Sequence, residues 1–95
     1  YSVDTGEITT NLLTNNYIVV RFTITAENEE AKEELEQRLP QVNQVIIKAL
    51  AGLTPEDIKG TEGVNKLEAK IMNEVSALMQ KGKIIQVITT KRVLS

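Results

Sequence analysis

Tyr17-Ile18-Val19-Val20-Arg21-Phe22-Thr23-Ile24-Thr25-Ala26 alternates more strongly than any other segment of the chain. Successive side chains of a strand point to opposite faces. Ile18, Val20, Phe22, Ile24 and Ala26 therefore share one face, and Tyr17, Val19, Arg21, Thr23 and Thr25 share the other. The first set is wholly apolar and predicts a core face. The second is mixed, which suits a sheet covered by helices on one side only.

Upstream of this strand, Thr14-Asn15-Asn16 reads as a connection, because asparagine tolerates the left-handed turn conformation. Ile8 to Leu13 reads as a shorter strand, preceded by the turn-like Asp4-Thr5-Gly6. Downstream, Asn28 is placed to cap a helix whose first turn holds Glu29 and Glu30, where the positive end of the dipole favours acids. Ala31, Leu35, Leu39, Val42, Ile46 and Ala49 then recur at three- and four-residue spacing as one apolar stripe. Pro40 interrupts the backbone ladder within that stripe and predicts a kink or a break into two helices. Gly52 is expected to close the segment as a left-handed cap. Thr54-Pro55-Glu56-Asp57 has the order of a helix start, with Thr as cap, Pro first and an acid third. Gly60 stops it after one turn. A last helix is expected from Thr61 or Glu62 to Gly82, with Val64, Leu67, Ile71, Val75 and Leu78 on one face, and Lys83 to Leu94 closes the chain as a strand. The order strand, strand, helices, strand implies an α/β two-layer sandwich, a small, mainly antiparallel sheet packed on helices.

Ninety-five residues with 41% apolar and 25% charged side chains suit one globular unit, residues 1–95. A chain of this length buries roughly 60–70% of the surface its unfolded form exposes. Three aromatics leave the core to Ile, Val and Leu, and a net charge of −2 gives no general attraction to nucleic acid or anionic lipid. The absence of His and Cys removes the usual proton shuttle, the thiol nucleophile and the best transition-metal ligands. No run approaches the ~18–20 apolar residues that span a bilayer. Tyr1 stands where an initiator Met would, so the chain is expected to be a piece of a longer protein.

Four features invite a chemical reading. Glu27, Glu29, Glu30, Glu33, Glu34 and Glu36 form the densest charge cluster, but Glu29, Glu33 and Glu36 lie opposite the apolar stripe and no calcium-loop spacing is present. A solvated helix face is the expectation, with no metal and no cofactor. Gly60-Thr61-Glu62-Gly63 fits the G-x-x-G backbone clamp of KH-type RNA-binding modules. Glu62 stands there where a cation would help, and stacking aromatics are missing. Ser76 has neither Lys70 nor Lys81 at same-face spacing, so no nucleophile is expected. Lys91 and Arg92, near Lys81 and Lys83, make a modest basic end that discourages edge-to-edge aggregation. The outer face of the strands is the better clue. Tyr17 and Val19, joined by Ile84 and Ile88 or by Ile85 and Val87, would leave apolar surface exposed, as interfaces do. Tyr17, Val19, Arg21, Ile88, Lys91 and Arg92 are the candidate interface residues, and no catalytic residue is expected.

From Asn11 to Leu94 the chain resembles the extracytoplasmic domain of the FliL family, flagellar basal body-associated proteins. The resemblance rests on Asn11-Leu12 before a turn, the strand Tyr17 to Ala26 followed by Glu27, and Arg38-Leu39-Pro40 followed by Ile46-Ile47-Lys48-Ala49-Leu50. Thr54-Pro55-Glu56-Asp57, Gly63, Leu67 through Val75, and Val87-Ile88-Thr89-Thr90 complete it. Ile88, Thr89 and Arg92 stand where the family often places aromatics. The resemblance implies a soluble domain similar to the stomatin/prohibitin (SPFH) fold on the periplasmic side, held to the inner membrane by a helix upstream of Tyr1. It implies a homo-oligomer, a ring when membrane-tethered, around flagellar stator proteins of the MotA/MotB type. It also implies a role in motility and chemotaxis, no enzyme activity and no nucleic-acid partner. A stomatin/prohibitin-like membrane scaffold unrelated to flagella and a KH-like RNA-binding module are the rival readings.

Overall fold

The computed structural model describes residues 1–95. Its elements are β1 (Ser2–Asp4), β2 (Ile8–Asn11), β3 (Tyr17–Ala26), α1 (Glu29–Gln37), α2 (Leu39–Ala51), a 3₁₀ turn (Pro55–Ile58), α3 (Gly60–Ser76) and β4 (Ile84–Leu94). The alternation of Tyr17 to Ala26 becomes the central strand with the expected boundaries. β4 runs antiparallel along one side of it, while β1 and β2 share the other, β1 against Thr23–Thr25 and β2 against Tyr17–Val20. The sheet is thus wholly antiparallel, and the helices cover one face of it.

Ile18, Val20, Phe22, Ile24 and Ala26 are completely buried, as their common face predicts. The first four pack under Leu35 of α1, Val42, Ile46 and Leu50 of α2, Ile58, and Leu67, Ile71 and Val75 of α3, in one core of 17 residues. β1 was not expected: three residues, Ser-Val-Asp, are too few for alternation to register. They gain strand form only because β3 offers free backbone groups opposite them.

The stripe from Ala31 to Ala49 breaks cleanly at Arg38, whose φ of −96° and ψ of 8° end α1 and begin α2. Pro40 falls in the first turn of α2, where its missing N–H is one that no helical carbonyl would have accepted. Asn28 caps α1 as expected, its side-chain oxygen accepting the Ala31 amide at 2.9 Å. The Asp57 carboxylate accepts the Thr54 amide at 2.9 Å, which completes the reading of Thr54-Pro55-Glu56-Asp57. Gly60 follows with a φ of +68°, the left-handed conformation that separates the 3₁₀ turn from α3.

Three expectations need correction. Gly52 is not left-handed; its φ of −92° ends α2 without a reversal. Ile8 to Leu13 shortens to Ile8–Asn11, because Leu12 and Leu13 turn away and the Leu13 amide bonds to the Leu53 carbonyl at 2.8 Å. Finally, α3 ends at Ser76 rather than Gly82. The carboxylate of Glu34 on α1, only 6% exposed, accepts the Gln80 amide at 3.0 Å and the Lys81 amide at 2.7 Å. Ahead of them the last turn has already tightened, the Leu78 and Met79 amides bonding to the carbonyls of Val75 and Ser76. The chain then folds down onto α1 and enters β4.

Candidate interaction surface

The outer face of the sheet is set by register. In antiparallel pairs directly opposed residues lie on the same face. Val19 opposes Val93, Arg21 opposes Lys91, and Thr23 opposes Ile88. On the other side Asn11 opposes Tyr17, Thr9 opposes Val19, and Asp4 opposes Thr23. The helix layer therefore leaves one continuous surface running the length of β3.

Two bulges in β4 decide which of its residues join this surface. One extra residue lies between the partners of Arg21 and Phe22, and another between those of Thr25 and Ala26. Each bulge reverses the parity of everything beyond it. Ile84 and Val87 consequently both face the helices and are buried, while Ile88 faces outward and Ile85 is exposed. Neither set anticipated from simple alternation, Ile84 with Ile88 or Ile85 with Val87, falls on one side.

The surface has apolar ends and a charged middle. Tyr17, 60% exposed, and Val93, 51% exposed, flank the half-buried Val19 at one end; Ile88, 42% exposed, lies toward the other. Between them Arg21 and Lys91 stand directly opposite, an arrangement of like charges that alone would destabilise the pairing. Each has its own acid. The Arg21 guanidinium grips Asp4 in a forked contact, Nε donating to the two carboxylate oxygens at 2.9 and 3.0 Å. Lys91 Nζ lies 2.9 Å from Glu7 Oε2. The Arg21 hydrogen bond, helped by the Gly6 amide, holds the Asp4 carboxyl down at about 2. Lys91 likewise depresses Glu7. The middle of the face is thus four charges that cancel, with no uncompensated sign to attract a charged ligand.

Five of the six candidate interface residues, Tyr17, Val19, Arg21, Ile88 and Lys91, meet on this face. Arg92 does not: it opposes the buried Val20 on the helix side, and its guanidinium donates to the Ile58 carbonyl. Asp4 and Glu7 also belong to the surface, although nothing in the sequence around them marks it. They are 17 and 84 residues from the cations they bind, and no local spacing signals such a pair.

The acidic cluster resolves into separate roles. Glu27 accepts the Lys83 amide at 2.6 Å, and Glu34 holds the loop before β4 while also accepting from Arg38 Nε at 2.9 Å. The Lys81 amide is the main reason that the Glu34 carboxyl lies below its ordinary range. Glu29, Glu30, Glu33 and Glu36 are exposed on α1. No three Asp or Glu side chains converge in metal-binding geometry. Gly60-Thr61-Glu62-Gly63 forms the first turn of α3, with Gly63 buried against the backbone of Ile58. No helix is long and apolar enough to cross a membrane.

The flagellar protein FliL of Bacillus subtilis (strain 168) is 34% identical to this chain over 89 residues, which cover 94% of the chain and 64% of that protein. The chain thus spans somewhat under two thirds of the length of this curated relative. The family model described as flagellar basal body-associated protein FliL matches residues 2–94, so that strand, helices and outer face all lie within the match, and the chain belongs to the FliL family of flagellar basal body-associated proteins.

Proposed function

We propose that this chain is a flagellar motor accessory domain that acts by assembly and not by chemistry. Copies held at the inner membrane, with this domain on the periplasmic side, associate head to tail, each setting its outer sheet face against a different surface of its neighbour, and support stator units. The observation that carries the reading, beside the family, is that face: exposed Tyr17, Val93 and Ile88 around a neutral Asp4–Arg21 and Glu7–Lys91 network. Apolar ends supply the attraction, and the paired charges give register without a net repulsion between identical copies. Contacts too weak to hold two free domains together become saturated when tethering raises their effective concentration. Repeated head-to-tail contacts close into a ring when the rotation allows. Such an assembly supports a stator only by binding its active state better than its resting state.

The test is a full-length protein carrying Tyr17→Asp and Val93→Asp, expressed in a motile strain that lacks its own copy. Both side chains are exposed, so the variant is expected to fold and reach the membrane. The expected result is loss of membrane-plane assembly, together with poor stator recruitment and poor swimming in viscous medium. Normal assembly and motility would remove the outer face as the contact surface. Unchanged stator recruitment after deletion of the whole gene would remove the motor role itself.

A further inference from the structure

Arg92, left out of the outer face, sits in a different feature. Between the last residues of β4 and the 3₁₀ turn lies a notch of about 430 Å³. Pro55, Ile58 and Leu94 form its apolar walls, and Glu56, Lys59 and Arg92 its charged ones. The four ion pairs of the chain use neither Lys59 nor Arg92, and Glu56 pairs with neither. Arg92 is nevertheless oriented, because one of its N–H groups is spent on the Ile58 carbonyl. A guanidinium anchored in this way, with its remaining donors unpaired beside apolar walls, is preorganised for a carboxylate.

The backbone beside it is also unpartnered. β4 pairs only with β3, so its other side is a sheet edge. The Ser95 amide donates to the Tyr17 carbonyl at 3.1 Å, and by alternation the amides of Leu94 and Arg92 point away from β3 toward that edge. Farther up the strand the Glu68 carboxylate accepts the Thr89 amide at 2.9 Å. No side chain does so at Arg92 or Leu94. The protected stretch of edge therefore gives way to an open one where the unpaired cations stand. Leu94, 42% exposed, offers an aliphatic contact at the same place.

We propose that this notch docks an extended segment of a partner protein in which an Asp or Glu and an aliphatic residue stand two positions apart, and so share one face of the added strand. The segment adds along the open end of β4, its backbone bonding to Arg92 and Leu94. Its carboxylate reaches Arg92 and Lys59, and an aliphatic side chain rests on Pro55 and Leu94. Strand addition supplies affinity through main-chain bonds, and the pocket supplies selectivity. Glu56 lowers the lining to a net charge of +1, so the site selects for one carboxylate rather than a long acidic run. The notch lies on the helix side of the sheet, so it can fail while the outer-face reading stands, and the reverse.

The probe is a displayed library of random heptapeptides selected on the purified 95-residue chain. The expected result is enrichment of sequences in which an Asp or Glu lies two positions from an aliphatic residue. A synthetic peptide from that set should perturb the backbone resonances of Lys59, Arg92 and Leu94, leaving Val19 and Lys91 unmoved. Its affinity should fall at least tenfold when its acids become amides, and equally on Lys59→Glu. Lys59 is exposed and unpaired, so that variant tests the site even if Arg92→Gln disturbs the 3₁₀ turn. Selection without acidic enrichment, binding indifferent to Lys59→Glu, or shifts confined to the outer face would each overturn the proposal. So would concentration-dependent shifts at the notch without peptide, which would make a second copy its occupant.

Discussion

Replacing Gly63 by alanine sets two effects of opposite sign against each other. Gly63 lies in the first turn of α3, and alanine within a helix is usually worth about 1 kcal/mol over glycine. At this position, however, the added Cβ would lie 2.6 Å from the Ile58 carbonyl carbon, 2.8 Å from its Cα and 3.0 Å from the Asp57 oxygen. Non-bonded carbons settle at about 3.5–4.0 Å, so the 3₁₀ turn must retreat by about 1 Å. Its retreat is opposed from both ends, by the Thr54–Asp57 cap and by Arg92 on the Ile58 carbonyl. Overpacking against atoms that can move typically costs about 1–3 kcal/mol. With backbone as the obstacle we take the upper end, about 3, and a net destabilisation of about 2 kcal/mol remains. For a domain of this length that lowers Tm by about 8–16 °C. Gly52→Ala is the matched control: a Cβ there meets nothing within 4 Å and φ is negative. Its expected effect is a gain of about 0.4–1 kcal/mol through the unfolded state. Thermal and urea denaturation of both variants decide the matter. A Gly63→Ala midpoint at or above wild type would show that the packing of α3 on the 3₁₀ turn is looser than described.

Two further outcomes follow from the same structure. Phe22→Ala, which empties a completely buried site, should cost about 3–5 kcal/mol, whereas Thr23→Ala on the outer face should cost about 0.5 or less; equal urea midpoints would mean the faces of β3 are reversed. Acid should weaken the fold through Asp4, Glu7, Glu34 and Asp57, whose folded-state values are all depressed, chiefly by Arg21, Lys91, the Lys81 amide and the Thr54 amide respectively. Depressed values mean that the unfolded chain takes up protons first. Their stabilisation is therefore complete above the ordinary values of 3.8 for Asp and 4.5 for Glu, and is lost as pH falls toward 2. Urea unfolding followed from pH 6 to pH 2 should show a flat stability that declines below about pH 4.5; stability rising on acidification would contradict the ion-pair geometry.

Much of the fold was legible because its signals are local. The alternation of Tyr17 to Ala26, the cap at Asn28, the proline at position 40 and the order Thr54-Pro55-Glu56-Asp57 each act within a few residues. What could not be read depends on contacts between distant parts of the chain. β1 exists because β3 pairs with it, and the chain beyond α3 turns toward β4 where Glu34, more than forty positions upstream, takes the amides of Gln80 and Lys81. The acidic run has the composition of a solvated face, and a single member of it, Glu34, is buried. Composition does not distinguish Glu34 from its neighbours, but position does: it precedes Leu35 of the stripe, and α1 turns it toward the loop. The candidate surface was legible to the same degree. β3 contributed its outward residues as expected, whereas the contribution of β4 depended on bulges that leave no mark in a run of Ile, Val and Thr.

Those bulges explain how one terminal strand serves three environments. A regular strand of eleven residues would present Ile84, Gln86, Ile88, Thr90, Arg92 and Leu94 together, mixing core residues with charge. The bulge near Ile85 puts both Ile84 and Val87 into the core. The one near Thr90 then returns Lys91 to the outer face opposite Arg21 and leaves Arg92 on the helix side. Lys91 and Arg92, adjacent cations that look interchangeable, thereby acquire opposite fates. Lys91 is neutralised by Glu7 on the outer face, while Arg92 is oriented by a carbonyl and joins no ion pair. Glu68 holds the strand in this phase, accepting both the amide and the hydroxyl of Thr89 at 2.9 and 2.8 Å beside the second bulge. The anchor of the bulge thus also fixes which of these adjacent cations joins the outer face and which the notch.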